Sequence, residues 1–396
     1  GIDHGNYVTK GMAEVLAAYN CALIADMFGD APCSQAALID ENGSPVYLTP
    51  KMDKQEEIYT QAMQYLDDAI ADLQKEDLID PEAQDLLYQG DAEKWLKLAY
   101  GLKARYTMHL LKRSANKDAD MEKVLEYVNN SFESAEEQAA FDVYDANNIN
   151  PLYGFFVARA GLGASESMRS KLAEYNDPRL SRAFITKQGT SGKEQAPGTA
   201  DNAVYAPNGT PEQGTSKYGT SLFMYSISAP TLLLSYHELK FLEAEALCRL
   251  ERDAKSALKD AVVAGLLNAE NSFTISRKEL GKTLINAASS ITEAEAESYF
   301  DNTIEAKYTA EPLKTTMTQK YFALWGASGE ATESYNDVRR MKGLGENFIE
   351  LKNPNSFPLR CPYGNSDTTT NAEVKAAYGN GQYVYSENVW WAGGSR

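Results

Sequence analysis

Apolar residues recur at steps of three and four through much of this chain, and this helical period constrains the fold more than any other feature of the sequence. Three predicted helices carry such stripes: Met12, Leu16, Tyr19, Leu23 and Met27; Ile58, Ala62, Leu66, Ala69, Ile70 and Leu73; and Trp95, Leu98, Leu102, Tyr106 and Leu110. Gly29 ends the first helix, and Asp67, Asp68 and Asp72 mark the predicted solvent face of the second. Such helices must bury their apolar faces against one another.

Two further segments predict an antiparallel helical hairpin. Residues 235–250 read SYHELKFLEAEALCRL and residues 254–269 read AKSALKDAVVAGLLNA, with a short turn between them. A short turn makes neighbouring helices antiparallel, and small residues such as Ala244 and Ala257 allow close approach. This pattern is typical of tetratricopeptide hairpins. The predicted fold class is therefore all-α, with tetratricopeptide-like helical hairpins and long irregular loops.

Two irregular regions interrupt the helical pattern. Gly, Thr, Ser, Pro and Asn prevail over residues 186–228, and Pro, Gly, Asn and aromatic residues over 353–396. Long irregular segments inside a compact protein are often functional, and an extended helical array can use this length without dividing. We predict one domain over residues 1–396, with a helical scaffold at about 1–130 and 231–345 and a loop-rich ligand side at about 140–230 and 353–396.

Charge and composition exclude several partners. The net charge of −18 repels nucleic acid and anionic lipid, so a neutral or cationic ligand fits better. No apolar run approaches the roughly 18 residues of a membrane span. The four cysteines and three histidines are scattered without a C-x-x-C pair, which disfavours a zinc site. Cys21 and Cys248 fall in apolar helical patterns, whereas Cys33 and Cys361 fall in loops and could pair.

The sequence contains no clear motif for catalysis or for a cofactor. Ser165 in GLGASES lacks the following Gly of a nucleophile elbow and fits better as a helix N-cap. The 56 acidic residues single out no carboxylate pair, and the glycines form neither a dinucleotide-binding motif nor a P-loop. Residues 316–340 combine Lys, aromatics, acids and a double Arg, but Asp337 and Arg340 have the spacing of a helical ion pair. We predict a structural corner there, and no catalytic residue, cofactor or metal ligand.

The aromatic residues indicate a ligand of another kind. Tyr occurs 24 times, often in polar loops, and an aromatic face beside amides and carboxylates suits a sugar ring. The predicted stacking residues and their hydrogen-bonding neighbours are Tyr205, Tyr218, Phe223 and Tyr225, with Asn202, Asn208 and Gln213. The alternative is that these rings only pack the loops onto the helices. Trp390 and Trp391 are predicted to fix the tail to the core.

Six stretches follow the motifs of one known family in order. They are Asp26–Pro32 (DMFGDAP), Gly90–Leu98 (GDAEKWLKL), Ser165–Met168 with Asp177–Leu180, Glu238–Ala246, Gln319–Arg340 and Pro358–Tyr363. Over almost the entire chain they resemble the SusD/RagB-like nutrient-binding outer-membrane lipoproteins, particularly the second SusD-like subgroup. Cys33 stands where the family usually has Tyr, and Tyr335 with Asn336 departs from its usual residues, so the loop detail differs.

The resemblance implies a non-catalytic protein at the cell surface, in the outer membrane. Such a protein would bind an oligosaccharide and deliver it to a SusC-like TonB-dependent transporter. The helices would form a rigid, transporter-facing side and the loops a ligand side. The family has a lipidated N-terminal Cys and a helical start, so we expect the anchor and the N-terminal part of the fold to lie outside this chain, which opens at GIDHGNYVTK.

Two alternatives stay open. A peptide-binding helical scaffold is the first, because tetratricopeptide arrays bind peptides in a concave face. A glycoside hydrolase is the second, and it would turn a glycan over with a bell-shaped pH profile from two carboxylates. Glycan binding without turnover would exclude both.

Overall fold

The computed structural model describes residues 5–78, 81–159, 162–188, 192–198, 203–210, 214–326 and 330–395. The helices are α1 (Tyr7–Phe28), α2 (Gln55–Asp72), α3 (Ala92–His109), α4 (Lys117–Asn129), α5 (Pro151–Arg159), α6 (Glu166–Glu174), α7 (Leu180–Ala183), α8 (Tyr236–Arg249), α9 (Lys255–Leu280), α10 (Glu293–Tyr299), α11 (Glu305–Ala310), α12 (Pro312–Ala323), α13 (Ala331–Leu344), α14 (Asn365–Thr370) and α15 (Ala372–Tyr378). The strands are β1 (Ala139–Phe141), β2 (Phe184–Gln188), β3 (Glu194–Pro197), β4 (Thr220–Ser221) and β5 (Thr231–Leu234). The predicted all-α class is confirmed.

The chain divides into two compact units. The first contains the residues up to Ser131, Asn336–Asn347 and the residues from Ser356 onward. The second contains Phe132–Tyr335 and Phe348–Asn355. The single domain predicted for residues 1–396 stays a prediction.

In the first unit, α1 packs along α2 through small side chains. Ala18, Ala22 and Ala25 are fully buried, and a Cβ on Gly11 would lie only 2.7 Å from Leu73 Cγ. The stripe predicted for α1 holds for Met12, which is buried, and is wrong for Leu16, which is 39% exposed. Close approach of the two backbones selects the alanine face of α1 rather than its larger apolar face.

Two further expectations for this unit need correction. Asp72 is buried rather than on the solvent face of α2, and it pairs with Lys10 and, at 2.5 Å, with Lys75. In addition, α1 has the length and mean hydropathy (22 residues and 1.2) of a membrane span, which the residue pattern did not reveal. Within the first unit α1 buries Glu14 and Asp26 together with its alanine face, and 39% of its apolar window is buried.

A buried polar cluster joins the C-terminal tail to the helices of the first unit. Trp391 is fully buried, its indole Nε1 donates to Asp26 Oδ1 at 3.0 Å, and its ring stacks on His109 with centroids 5.6 Å apart. The Arg339 guanidinium lies 4.9 Å from the centroid of the same ring. The prediction that the terminal tryptophans fix the tail is confirmed for Trp391.

The charged block at residues 316–340 consists largely of buried, paired groups, each within its own unit. In the first unit Arg340 and Asp337 form the predicted ion pair at 2.7 Å. In the second unit Glu330 lies 3.2 Å from His237 Nε2 and accepts a hydrogen bond from the Ser235 backbone N–H at 3.0 Å. These contacts support the interpretation of the block as a structural corner.

In the second unit, α8 and α9 form the predicted hairpin, with α9 extending to Leu280. Leu239, Phe241 and Leu258 are fully buried in it. The strands add two small antiparallel sheets, one in the order β3-β2-β4 and one pairing β1 with β5. Ser165 caps α6 as predicted, because its hydroxyl accepts a hydrogen bond from the Met168 N–H at 3.3 Å.

Candidate functional site

Two of the predicted stacking residues lie inside the core of the second unit. Tyr205 is 3% exposed and packs edge-on against Phe184, and its hydroxyl donates to the Gly198 carbonyl. Phe223 is 2% exposed and contacts Phe273, with centroids 4.6 Å apart. The two rings belong to one continuous aromatic row in the order Tyr205, Phe184, Trp325, Phe223 and Phe273.

Two of the other predicted residues, Tyr218 and Asn208, have neighbours of their own in the second unit. Tyr218 is also buried, with the Lys217 ammonium 5.2 Å from the centroid of its ring. The carboxamide oxygen of Asn208 accepts a hydrogen bond from the Ser165 hydroxyl at 2.8 Å. Asn202 and Gln213 lie outside the described residues.

The burial of Tyr205 and Phe223 leaves neither ring open for stacking on a sugar. A ring that stacks on a sugar needs one face open to solvent, and Tyr205 and Phe223 present none in this structure. Burial also raises the pKa of the Tyr205 hydroxyl well above its ordinary value, as expected for a neutral phenol held in the core. The geometry thus gives these two residues a packing role, while a role in ligand binding stays a prediction.

Tyr225 has different surroundings, because it is half-buried against helix α5. Its ring meets the Phe156 ring edge-on, with centroids 5.2 Å apart and an interplanar angle of 70°. Burial raises the pKa of Tyr225. Of the predicted residues, Tyr225 packs against a helix that also carries an exposed aromatic ring, Phe155.

Helix α5 starts where the local sequence requires it to start. The Asn150 carboxamide oxygen accepts hydrogen bonds from the N–H groups of Leu152 and Tyr153 at 2.9 and 3.3 Å, as an N-cap does. Pro151 follows as the first helical residue, where its missing N–H costs nothing. Asn150 is itself buried, and its Nδ2 donates to the Ala229 carbonyl at 2.8 Å. The start of α5 is therefore fixed to the body of the unit.

The outer face of α5 presents unusually large apolar groups. Phe155 is 52% exposed and Val157 is 61% exposed. Phe156 points the other way and is 8% exposed. Tyr153 is half-buried, and its hydroxyl donates a hydrogen bond to Glu279 Oε1 of α9 at 2.9 Å. Burial is the main cause that raises the pKa of Tyr153, and the hydrogen bond to Glu279 raises it further. The Phe155 ring is thus exposed on helix α5, whose opposite face packs against the rest of the unit.

A polar loop precedes this helix and completes the surface. Asp145, Asn147 and Asn148 are exposed. The Asp145 carboxylate accepts hydrogen bonds from the N–H groups of Asn147 and Asn148, both at 2.7 Å, which shapes the loop as an Asx-type turn. We call Tyr153, Phe155 and Tyr225 together with the loop at residues 142–149 the α5 surface. Its residues include an exposed aromatic ring on α5 and exposed carboxylate and amide groups in the loop that leads into α5, two chemistries that suit a sugar.

Sequence reasoning missed Phe155 and Tyr153, although both lie within the predicted ligand side. A signal was present, since Asn150-Pro151 is a typical helix start. Three aromatic residues follow it within five positions, at Tyr153, Phe155 and Phe156. The three rings cannot all lie on one face of a nine-residue helix, which favours the exposure of at least one of them.

A second concave feature of the same unit lies in its helical hairpin region. A cavity of about 490 Å³ opens between α8, α9 and α10, and its lining includes Tyr236, Val263, Leu267, Asn268 and Asn271. Its size falls within the usual range for ligand sites. Burial raises the pKa of the Tyr236 hydroxyl. We call this feature the hairpin cavity.

Comparison with protein families assigns the chain. Residues 3–363 match the SusD-like_2 family model, described as "Starch-binding associating with outer membrane". The match covers most of the chain, and the chain therefore belongs to this SusD-like family, whose described function is starch binding in association with the outer membrane. No protein of the curated set matches the chain.

Solved structures agree with this assignment. The chain is 67% identical to a SusD/RagB family protein from Bacteroides thetaiotaomicron, with a TM-score of 0.94, over 100% of this chain and 83% of the other. A SusD homolog from Bacteroides fragilis shares 19% identity and a TM-score of 0.73 over 98% and 84% of the two chains. A chitin-binding protein shares 20% identity and a TM-score of 0.70 over 98% and 82%. At these lower identities the last two show the fold alone.

Proposed function

We propose that this chain binds an oligosaccharide at the α5 surface and does not cleave it. The observation that carries the proposal is the accessible Phe155 ring on a helix whose start and inner face are fixed. Membership of a family described as starch-binding supports the ligand class. A neutral glycan also suits a chain with a net charge of −18, which would repel an anionic ligand.

In this proposal each part of the α5 surface has one task. The open face of Phe155 stacks on the apolar face of a sugar ring, while the contact between Phe156 and Tyr225 keeps α5 from rotating. The exposed amide and carboxylate groups of Asn147 and Asp145 bind hydroxyl groups at the rim of the sugar. Because the ring is already held open, binding requires little ordering of the protein.

A pair of variants on the same helix tests this site. Phe155→Ala removes the stacking ring, and Val157→Ala truncates a still more exposed apolar residue two positions away. We expect calorimetric titration with α-glucan oligosaccharides, preceded by a glycan array, to show about tenfold weaker binding for Phe155→Ala. We expect Val157→Ala to bind as the wild type does. Equal affinities for all three proteins would remove the α5 surface from consideration.

Absence of catalysis is the second part of the proposal. Incubation of the wild type with every glycan that it binds is expected to release no new reducing ends, measured over a day across pH 4 to 9. Sustained release that follows a bell-shaped pH profile would instead identify a glycoside hydrolase.

The partner and the location complete the proposal. As a SusD-like protein, it would be a surface-exposed lipoprotein in the cell that passes the glycan to a SusC-like TonB-dependent transporter. We expect the protein, expressed from its own gene together with the transporter, to copurify with it from detergent-solubilised outer membranes and to be accessible to protease on intact cells. Purification free of the transporter, or full protection from protease, would contradict this part.

The hairpin cavity favours a second candidate function, the binding of a peptide. Asn268 and Asn271 on α9 could hydrogen-bond a peptide backbone, and Tyr236 and Leu267 offer apolar contact. Asn271→Ala should then weaken binding of a peptide from a random library and leave glycan affinity unchanged. If no peptide binds the wild type while glycans do, this candidate is excluded.

A further inference from the structure

The thiols of Cys21 and Cys33 meet in the first unit. Cys21 lies in the last third of α1, and Cys33 lies in the loop that connects α1 to α2. Their sulfur atoms are 2.9 Å apart, closer than two non-bonded sulfur atoms normally pack. The sequence pattern had offered Cys33 and Cys361 as the possible pair, and this is wrong for the described structure, in which Cys33 contacts Cys21 instead.

Both backbones that carry these thiols are held in place. Cys21 belongs to a helix that packs along α2. The Cys33 N–H donates to Asp53 Oδ2 at 3.0 Å, and the Ser34 N–H and hydroxyl donate to the same carboxylate at 2.7 and 2.8 Å. Ala31 and Asp53 also exchange two backbone hydrogen bonds at 3.1 Å. The proximity of the thiols therefore follows from the packing of the unit rather than from a chance side-chain rotamer.

We propose that Cys21 and Cys33 form an intramolecular disulfide under oxidising conditions, and that this bond fixes the base of the loop between α1 and α2. A disulfide needs its two sulfur atoms about 2.05 Å apart, so a movement of less than one ångström closes the gap. Neither thiol is fully buried, so a small oxidant can reach them. Exported proteins meet such conditions, whereas cytosolic thiols stay reduced.

The two thiols have different parts in the reaction. The hydrogen bond from Cys33 lowers the pKa of Cys21, and the same bond, followed by burial, raises the pKa of Cys33. Cys21 is then the thiolate that attacks a small-molecule or protein disulfide, which forms a mixed disulfide and releases one thiol. Cys33 next attacks the Cys21 sulfur, loses its proton and expels the second thiol. The chain loses two electrons and two protons, and the oxidant disulfide becomes two thiols.

The loop that the bond would fix is exposed at its far end. Ile39 is 67% exposed and Leu48 is 86% exposed. A turn between them is closed by a hydrogen bond from the Asp40 N–H to the Ser44 carbonyl at 2.8 Å. A covalent bond at Cys33 shortens the free part of this loop and lowers the conformational entropy of the unfolded chain.

Peptide mapping under non-reducing conditions tests the pairing. The protein is incubated with oxidised glutathione, its free thiols are alkylated, and it is digested without reductant. We expect a cross-linked peptide pair that contains Cys21 and Cys33, with Cys248 and Cys361 alkylated in the same sample; burial raises the pKa of both of these control thiols. Alkylation of Cys21 and Cys33 in the folded, oxidised protein would overturn the proposal. Glutathione retained on either residue, or a disulfide between two chains, would do the same.

Matched double variants measure the consequence of the bond. In a Cys248→Ser/Cys361→Ser variant, which keeps the pair, oxidation should raise the melting temperature by roughly 5 °C. It should also slow hydrogen exchange over residues 34–52. In a Cys21→Ser/Cys33→Ser variant, the same treatment should change neither quantity. Equal responses of the two variants would overturn the claim that the bond fixes the loop. Neither experiment depends on glycan binding.

Discussion

Phe155 and Phe223 are both phenylalanines of the second unit, and both lie within the region predicted as the ligand side, yet Phe155 is 52% exposed and Phe223 is 2% exposed. Phe155 stands on a helix of nine residues that already buries Phe156. Phe223 lies in a short 3-10 turn at residues 222–225 and fills the space between Phe273 and Trp325. The difference shows that irregular, polar segments can supply core rings, whereas a regular helix can supply an open one.

The largest expected difference between the two sites is in stability. Phe223→Ala should lower the free energy of unfolding by about 3–5 kcal/mol, because it leaves a cavity in the aromatic row. Phe155→Ala should lower it by only about 1 kcal/mol, because about half of this side chain is already exposed to solvent. Urea unfolding followed by tryptophan fluorescence measures both values. Similar losses for the two variants would mean that the surroundings assigned to these rings are wrong.

A smaller effect is expected where the backbone approaches the aromatic row. A Cβ on Gly219 would lie 2.6 Å from Tyr205 Cε1 and 2.9 Å from the Ile185 carbonyl oxygen. Gly219→Ala should therefore cost about 1–3 kcal/mol of unfolding free energy. Gly214→Ala is the control, since its nearest contact would be Ser216 Oγ at 3.4 Å. If the control costs as much as Gly219→Ala, Tyr205 is not packed as described.

The hydroxyl of Tyr205 has a smaller contribution still. Tyr205→Phe removes the donor to the Gly198 carbonyl and should cost about 1 kcal/mol. Because this hydroxyl points into the core, glycan affinity should stay unchanged. Tyr385→Phe, on a ring that is 62% exposed, serves as the control for both measurements. A loss of glycan affinity in Tyr205→Phe without a loss of stability would return Tyr205 to the ligand site.

The smallest expected effect is a change in how the stability of the protein depends on pH above about 10. The folded-state pKa of Tyr205 is raised by burial, so its contribution to stability is fully present below the unfolded value of about 10 and is lost as pH rises through the folded value. The urea midpoint of the wild type should fall more steeply above pH 10 than that of Tyr205→Phe. Parallel curves for the two proteins would show that this phenol is not held neutral by the core.

The helical scaffold could be predicted from the sequence because a period of 3.6 residues directly reflects burial on one face. The hairpin of α8 and α9 shows this most clearly. The method fails for α1, which is apolar on several sides. There the choice of buried face depends on how closely α2 approaches, as the space at Gly11 shows.

The candidate site could be predicted only in part. Tyr225 was selected because aromatic residues in polar loops are unusual, and its place in a ligand site stays a prediction; the same criterion selected Tyr205 and Phe223, which pack in the core. Exposure depends on contacts between residues far apart in the chain, such as Phe223 with Phe273, and no local pattern reports these. For the same reason the contact of Cys21 with Cys33, set by the path of the loop to Asp53, was not foreseen.

The central claim is that ligand contacts the α5 surface, and hydroxyl-radical footprinting of side chains tests it most directly. In the free protein Phe155, at 52% exposure, should be oxidised readily. Saturation with a bound oligosaccharide should protect Phe155 and leave Tyr236 of the hairpin cavity and the exposed Tyr385 unchanged. Protection of Tyr236 with continued oxidation of Phe155 would contradict the claim and place the ligand in the hairpin cavity.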